Sequence, residues 1–257
     1  MDYKIVFLDV DGTITHHDDG SIPDSTRAAI QALINRGIKV VAATGRPLSM
    51  CEEIEELGID TFITANGGYV KHNKNVIYKV PMDKDIIREV MEFSNLENNG
   101  LSFYTEEFSM NGVMDRKILS ALKETLSLDE YPTTNSLIYE QEVYLMCLFA
   151  DDDTVEKYIQ TFPYLSFKRW HPFVLNVLNE EVSKSLAILK TLEYFDIDKS
   201  EAIAFGDGEN DIDMLELVGL GIAMGNGSEK LKNTADFITK KSSDDGISYA
   251  LKQYSII

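Results

Sequence analysis

Residues 4–13 read Lys4-Ile5-Val6-Phe7-Leu8-Asp9-Val10-Asp11-Gly12-Thr13. Ile5 to Leu8 are four apolar residues in a row without a turn former, the pattern of a parallel strand buried on both faces. The run then breaks to Asp9, Asp11 and a glycine turn at Gly12. In an open α/β sheet, ligands bind beyond the carboxyl ends of the strands, so these acids stand where chemistry is expected. Strand alternation puts residues two apart on one side, so Asp9 and Asp11 can address one ligand. Two carboxylates about 5 Å apart repel by roughly 3 kcal/mol at an effective dielectric of about 20. Something positive has to offset that.

A second acidic turn lies near the other end, in Ile203-Ala204-Phe205-Gly206-Asp207-Gly208-Glu209-Asn210-Asp211. It too is an apolar run delivered to an aspartate at a glycine turn. Two strand ends that each present Asp make a hard oxygen site, the ligand set Mg²⁺ prefers. The motifs FLDVDGT (7–13) and GDGENDIDML (206–215), at this separation, resemble the haloacid dehalogenase (HAD) superfamily. Within it the chain looks most like the Cof-type phosphatases with an α/β cap, which hydrolyse phosphorylated metabolites. The resemblance spans nearly the whole chain.

With 257 residues, the chain has length for one large domain or two smaller ones. Forty-three acidic residues against 24 Lys plus Arg give a net charge of −19, which repels phosphate backbones and argues against a nucleic-acid partner. An anionic small substrate therefore needs a local positive site. The two cysteines, Cys51 and Cys147, are far apart and lack metal-ligand spacing, as expected for reduced core thiols. No apolar run approaches a membrane span and the first residues carry no signal region, so a soluble, cytoplasmic protein is expected, monomeric or a small homo-oligomer.

Along the chain, His16-His17-Asp18-Asp19-Gly20 reads as a solvated loop, and the resemblance makes it a short hairpin flap beside the catalytic strand. Pro23 opens a helix that ends before Gly37. Ile38 to Ala43 is the next buried strand and delivers Thr44-Gly45-Arg46-Pro47, whose hydroxyl and glycine N–H form a phosphate pocket at a strand end. A helix is expected over 48–57. Phe62 to Ala65 is a third strand, and Asn66-Gly67 turns it into a hairpin.

From Met82 the pattern changes to mixed short elements. A helix is expected over 83–93, strands at 102–104 and 143–150, and a polar, poorly periodic stretch reaches Glu140. Asp151-Asp152-Asp153 reads as an N-cap with first-turn acids. Strands over 164–168 and 173–177 flank Arg169-Trp170-His171-Pro172. The core resumes near Glu181, where Ser183 caps a helix and sets Lys184 in its first turn, against the helix dipole. Broken local rules often mark functional sites. A solvated lysine is ordinarily the better reading, but the resemblance, whose third motif is a lysine at the start of this helix, favours function. The expected fold is therefore α/β: a doubly wound, mostly parallel sheet formed by residues 1–81 and 181–257, with a smaller α/β cap inserted over 82–180.

The resemblance implies roles for these positions. Asp9 is the nucleophile, forming an aspartyl-phosphate, and Asp11 protonates the leaving group and later activates water. Mg²⁺ is held by Asp9, the Asp11 backbone carbonyl and Asp207, with Asp211 ligating directly or through water. The Val10 backbone, Thr44, Gly45, Lys184 and Asn210 hold the phosphoryl oxygens. Arg46 and Asn66 at the core turns, and Arg169 and His171 in the cap, are candidate substrate contacts, and the cap selects the substrate. A sugar phosphomutase, and less readily a non-enzymatic phosphoacceptor module, use similar residue sets. The substrate class is a small phosphorylated metabolite.

Overall fold

The computed structural model describes residues 2–179 and 182–257. They fall into two compact units, one of Met1–Gly45, Cys51–Lys79 and Ser183–Ile257, the other of Arg46–Met50 and Val80–Val182. The expected boundary at 180/181 lies outside the described residues.

Unit 1 begins with β1 (Ile5–Leu8), all four residues of which are buried. Helix α1 (Asp24–Asn35) follows Pro23 and buries Thr26, Ala29, Ile30 and Leu33, one stripe at helical spacing. Then come β2 (Lys39–Ala43), the single-turn helix α2 (Glu52–Glu55), β3 (Thr61–Thr64), β4 (Tyr69–His72) and β5 (Asn75–Lys79). The helix expected over 48–57 is split at Cys51, after a 3₁₀ turn at Leu48–Met50. Ser49 N–H donates to the Glu106 carbonyl of unit 2 rather than to a helical partner, so 46–50 is tied elsewhere. The flap forms no hairpin ladder among the described residues. It is a turn closed by His16 N–H on Ser21 O and Gly20 N–H on His16 O.

Unit 2 contains α3 (Lys84–Leu96), β6 (Gly100–Tyr104), β7 (Phe108–Met110), α4 (Arg116–Leu126), β8 (Leu145–Phe149), α5 (Asp152–Thr161), β9 (Ser166–His171) and β10 (Val174–Leu178). The expected cap for α5 is present, Asp151 accepting from Thr154 N–H. Helix α4 lies in the stretch that reads as aperiodic. Its buried residues are few, Ile118, Ala121 and Leu122, and Asp115 caps it by accepting from Lys117 N–H. The segment Arg169-Trp170-His171 is strand, not a loop, because the β9–β10 pair runs further toward its turn than the apolar residues suggest. The five strands form an antiparallel sheet in the order β7-β6-β8-β10-β9. Its core gathers Ile87, Val90 and Met91 of α3 and Val155 and Tyr158 of α5 against Leu101, Phe103, Met146, Leu148, Leu175 and Val177.

The chain returns to unit 1 with α6 (Lys184–Phe195), β11 (Ala202–Gly206), α7 (Ile212–Leu217), β12 (Leu220–Ala223), α8 (Glu229–Lys232), β13 (Phe237–Ile238) and α9 (Gly246–Gln253). The sheet of unit 1 has eight strands in the order β13-β12-β11-β1-β2-β3-β4-β5. It is parallel from β13 to β3 and antiparallel only through the β3-β4-β5 meander. The expected doubly wound, mostly parallel architecture is the observed one. From β1 the chain winds outward to β2 and β3, and on its return it builds β11 and β12 on the other side. The carboxyl end of β1 is thus the point where the winding direction reverses, where an open α/β sheet forms its ligand crevice.

Candidate active site

Asp9 caps the end of β1, and its N–H donates to the Phe205 carbonyl at 3.0 Å, continuing the β1–β11 ladder. That bond brings the two acidic turns side by side. After Asp9 the chain leaves the strand in a tight turn, closed by Ile14 N–H on Asp9 O and Thr15 N–H on Val10 O. Gly12 sits at φ +82°, and a Cβ there would collide with the Asp207 carboxylate. The turn also overrides strand alternation: Asp9 is buried while the Asp11 side chain is exposed. Asp9 and Asp11 therefore address the crevice from different depths.

The acids that converge are the buried Asp9 and Asp211 and the partly buried Asp207, whose oxygens lie within 4.8 Å of one another. Asp211 is fully buried and follows Gly206, where a side chain would strike it. Its Oδ2 accepts from the N–H groups of Asp207 and Gly208, both at 3.0 Å. Its Oδ1 accepts from Lys184 Nζ at 2.6 Å, and Asp9 Oδ1 accepts from the same ammonium at 2.6 Å. The Lys184 in the first turn of α6 is thus a buried cation, 1% exposed, and not a solvated one. Ser183 caps that helix by accepting from Leu186 N–H, and the Ser185 hydroxyl donates to Asp213 at 2.6 Å, tying α6 to α7.

One ammonium does not neutralise three clustered carboxylates. Burial first, then the charge of Asp211, pushes the Asp9 carboxyl well above its ordinary range, against the pull of Lys184. Burial and Asp211 likewise push Asp207 up to about 7. Burial alone would lower the Lys184 pKa, but Asp211 and Asp9 outweigh it and raise it. A cluster of hard oxygens with unspent negative charge fits a divalent cation, and the donor set is the kind Mg²⁺ takes.

The phosphate-pocket candidates gather at the neighbouring strand ends. Thr44 is fully buried at the end of β2, with its N–H on Ile63 O and its carbonyl accepting from Asn66 N–H at 3.1 Å. Asn66 takes a left-handed conformation, φ +54°, and its Oδ1 accepts from Asn210 Nδ2 at 3.1 Å. A methyl on Gly45 would lie 3.2 Å from that same Oδ1, so Gly45, Asn66 and Asn210 share one patch. Arg46 donates to the Met50 carbonyl at 3.1 Å.

Two candidates are drawn into the framework of unit 2. Arg169 donates to the carbonyls of Ala150 at 3.1 Å and Pro172 at 2.8 Å, and pairs with Asp152 at 2.8 Å. His171 meets Glu124 of α4 at 3.1 Å. Sequence reasoning also passes over residues that touch the acids. Thr13 donates to Asp207 Oδ1 at 3.4 Å, and Asn226 donates to Asp207 Oδ2 at 3.1 Å. The available signal is that Gly225-Asn226-Gly227 turns the chain just past β12, as the acidic turns do past β1 and β11.

A family model for haloacid dehalogenase-like hydrolases matches residues 6–251. The chain is 39% identical over 259 residues to "Putative phosphatase YkrA" of Bacillus subtilis (strain 168), covering all of both chains. A crystal structure of a hypothetical protein from Geobacillus kaustophilus HTA426 superposes with a TM-score of 0.91 at 37% identity, covering 99% of this chain and 100% of that one. The HAD subclass IIB sugar phosphatase BT4131 superposes with a TM-score of 0.83 at 30% identity, covering 99% and 100%. Among the described residues, no helix is long and apolar enough to cross a membrane.

Proposed function

The chain belongs to the haloacid dehalogenase-like hydrolases, and on that premise we propose that it is a Mg²⁺-dependent phosphatase of small phosphorylated metabolites, sugar phosphates foremost. The observation that carries this reading is the buried Asp9–Lys184–Asp211 bridge beside Asp207, at the point where the sheet reverses its winding. The sugar phosphatase among the structural neighbours supports the substrate class.

Asp9 attacks phosphorus through a carboxylate oxygen, and the bond from phosphorus to the ester oxygen breaks. Asp11, the exposed acid of the turn, gives its proton to that leaving oxygen. It then takes a proton from water, which attacks the aspartyl-phosphate and returns Asp9 as a carboxylate with release of inorganic phosphate. Lys184 keeps the Asp9 carboxylate oriented and offsets its charge. The Val10 backbone, Thr44, Gly45 and Asn210 bind phosphoryl oxygens, with Asn66 and Arg46 toward the substrate body. Asp9, Asp207 and the Asp11 carbonyl would hold the cation. Both oxygens of Asp211 already accept hydrogen bonds, which suits it to positioning the turn and Lys184. When bound, the ion supplies charge that draws together carboxylates and phosphoryl group. The inserted cap, expected from sequence over 82–180, governs which ester is accepted.

Phosphate release from a panel of phosphorylated metabolites, with Mg²⁺ and with EDTA, tests the proposal. Turnover is expected only with the metal and with Asp9 intact. Full activity in chelator would remove the metal from the reading. An Asp9→Asn variant that keeps more than about a hundredth of the wild-type rate would remove the nucleophile, since acid–base assistance by itself accounts for about 10²–10⁴-fold.

A further inference from the structure

Asn226 stands in the turn after β12 and reaches across the crevice to the turn after β1. Its Nδ2 donates to the Gly12 carbonyl at 2.8 Å and to Asp207 Oδ2 at 3.1 Å. Its Oδ1 accepts from the Ser242 N–H at 2.9 Å. The amide can sit only one way round. A backbone N–H only donates and a backbone carbonyl only accepts, so Ser242 claims the oxygen and Gly12 claims the NH₂. The second N–H is then aimed at Asp207 by elimination. Ser242 is itself buried, and its Oγ lies 3.1 Å from both the N and Nδ1 of His17, so the anchor is held from behind.

The two groups that Asn226 grips bracket the cation site. Asp207 is one of the converging acids, and the Gly12 carbonyl belongs to the peptide unit following the Asp11 carbonyl. Thr13 binds the other Asp207 oxygen only at 3.4 Å, so Asn226 makes the shorter of these two side-chain contacts. Without it, Asp207 would keep only the longer Thr13 bond of these two against rotation about its side-chain torsions. We propose that Asn226 is a positioning residue for the cation, locking the Asp207 carboxylate and the backbone next to Asp11 in one geometry. The inference rests on the reading of this site as a Mg²⁺ site. Residues that orient a metal ligand in this way typically contribute 10–100-fold in metal affinity.

The test is calorimetric titration of metal-free protein with MgCl₂, without substrate, for wild type, Asn226→Ala and Asp207→Asn. Wild type is expected to bind, Asp207→Asn to bind barely or not at all, and Asn226→Ala to bind about 10–100-fold more weakly. Melting in EDTA separates this from a purely structural role, which would lower Tm and leave the Mg²⁺ affinity of the folded protein unchanged. A loss of less than tenfold in Asn226→Ala, while wild type binds, overturns the positioning role and leaves the metal reading intact. Absence of binding by wild type overturns both, at the level of the metal. Should Asn226→Ala fail to fold, the side-chain amide resonances of Asn226 in the wild-type protein decide the matter. They are expected to shift with Mg²⁺ on the same isotherm as the calorimetry, and resonances that do not move overturn the inference.

Discussion

Lys184 Nζ lies 2.6 Å from Asp9 Oδ1, joining the first turn of α6 to the end of β1 across 175 residues of sequence. The same nitrogen is 2.6 Å from Asp211 Oδ1. A single ammonium thus links three of the chain segments that make the site, and both of its contacts are shielded from water.

Replacing Lys184 by Met should strand two buried carboxylates, and breaking a buried pair costs about 3–5 kcal/mol. The raised pKa of Lys184 means its contribution is complete below the ordinary lysine pKa and lost only as pH rises through the higher folded value. At pH 8 the full deficit is therefore expected. At pH 5 it should shrink, because the stranded Asp9 carboxyl, already pushed up by burial, takes up a proton instead. Urea unfolding in EDTA at the two pH values checks this, and equal deficits would contradict the bridge. Phosphate turnover should fall in kcat and in kcat/KM together; an unchanged kcat/KM would return Lys184 to a structural role.

The Asp207 carboxyl, raised to about 7, predicts how the metal-free protein responds to pH. A carboxyl with a raised folded pKa contributes stability that is complete below its unfolded value, near 4, and lost as pH rises through about 7. In EDTA, Tm should accordingly decline between pH 5 and pH 8 more than in an Asp207→Asn variant. Mg²⁺ should raise Tm more at pH 8 than at pH 6, since protons compete with it. Equal Mg²⁺ shifts at both values would argue against these acids as its ligands.

Asp11 is exposed beside a buried Asp9, the placement an acid needs if it is to meet a leaving group arriving from solvent. Asp11→Asn should depress hydrolysis of alkyl phosphates by about 10²–10⁴-fold. An activated aryl phosphate, whose leaving oxygen needs no proton, should suffer far less. The comparison of kcat on one ester of each kind is decisive, and equal losses would assign the proton to another group.

Arg169 and His171 stand out in the sequence as cap residues for substrate, and the structure ties both to their own unit. Arg169→Ala removes a donor from three backbone carbonyls and should cost about 1–2 kcal/mol of stability. His171→Ala loses a partner of exposed Glu124 and should cost about 0–1 kcal/mol. Neither should change KM for the best substrate more than about twofold, a margin below 1.4 kcal/mol. A larger shift in KM without a fall in Tm would restore the substrate role.

Much of the fold was legible because its signals are local. Ile5–Leu8 and Ala202–Gly206 read as buried strands from apolar runs alone, and a glycine turn after each marks the strand end where an acid becomes accessible. Ser183 before Lys184 announces the start of α6 through the capping preference of a hydroxyl. What the sequence could not decide depends on distance and direction. Asp9 and Asp11 are two residues apart, yet a turn held by bonds to Asp9 and Val10 carbonyls buries one and exposes the other. Arg169 and His171 lie on either side of a bulge at Trp170 in β9, and only that register and the packing of α4 and α5 determine what they meet. Helix α4 was legible as well, since Ile118, Leu119, Ala121, Leu122 and Leu126 recur at helical spacing, although the stretch around it reads as aperiodic. Asn226 carries no charge and stands on a turn that pattern reading treats as punctuation. Its meeting with Asp207 exists only because β12 lies beside β11 in the sheet, a neighbour relation set by long-range strand pairing.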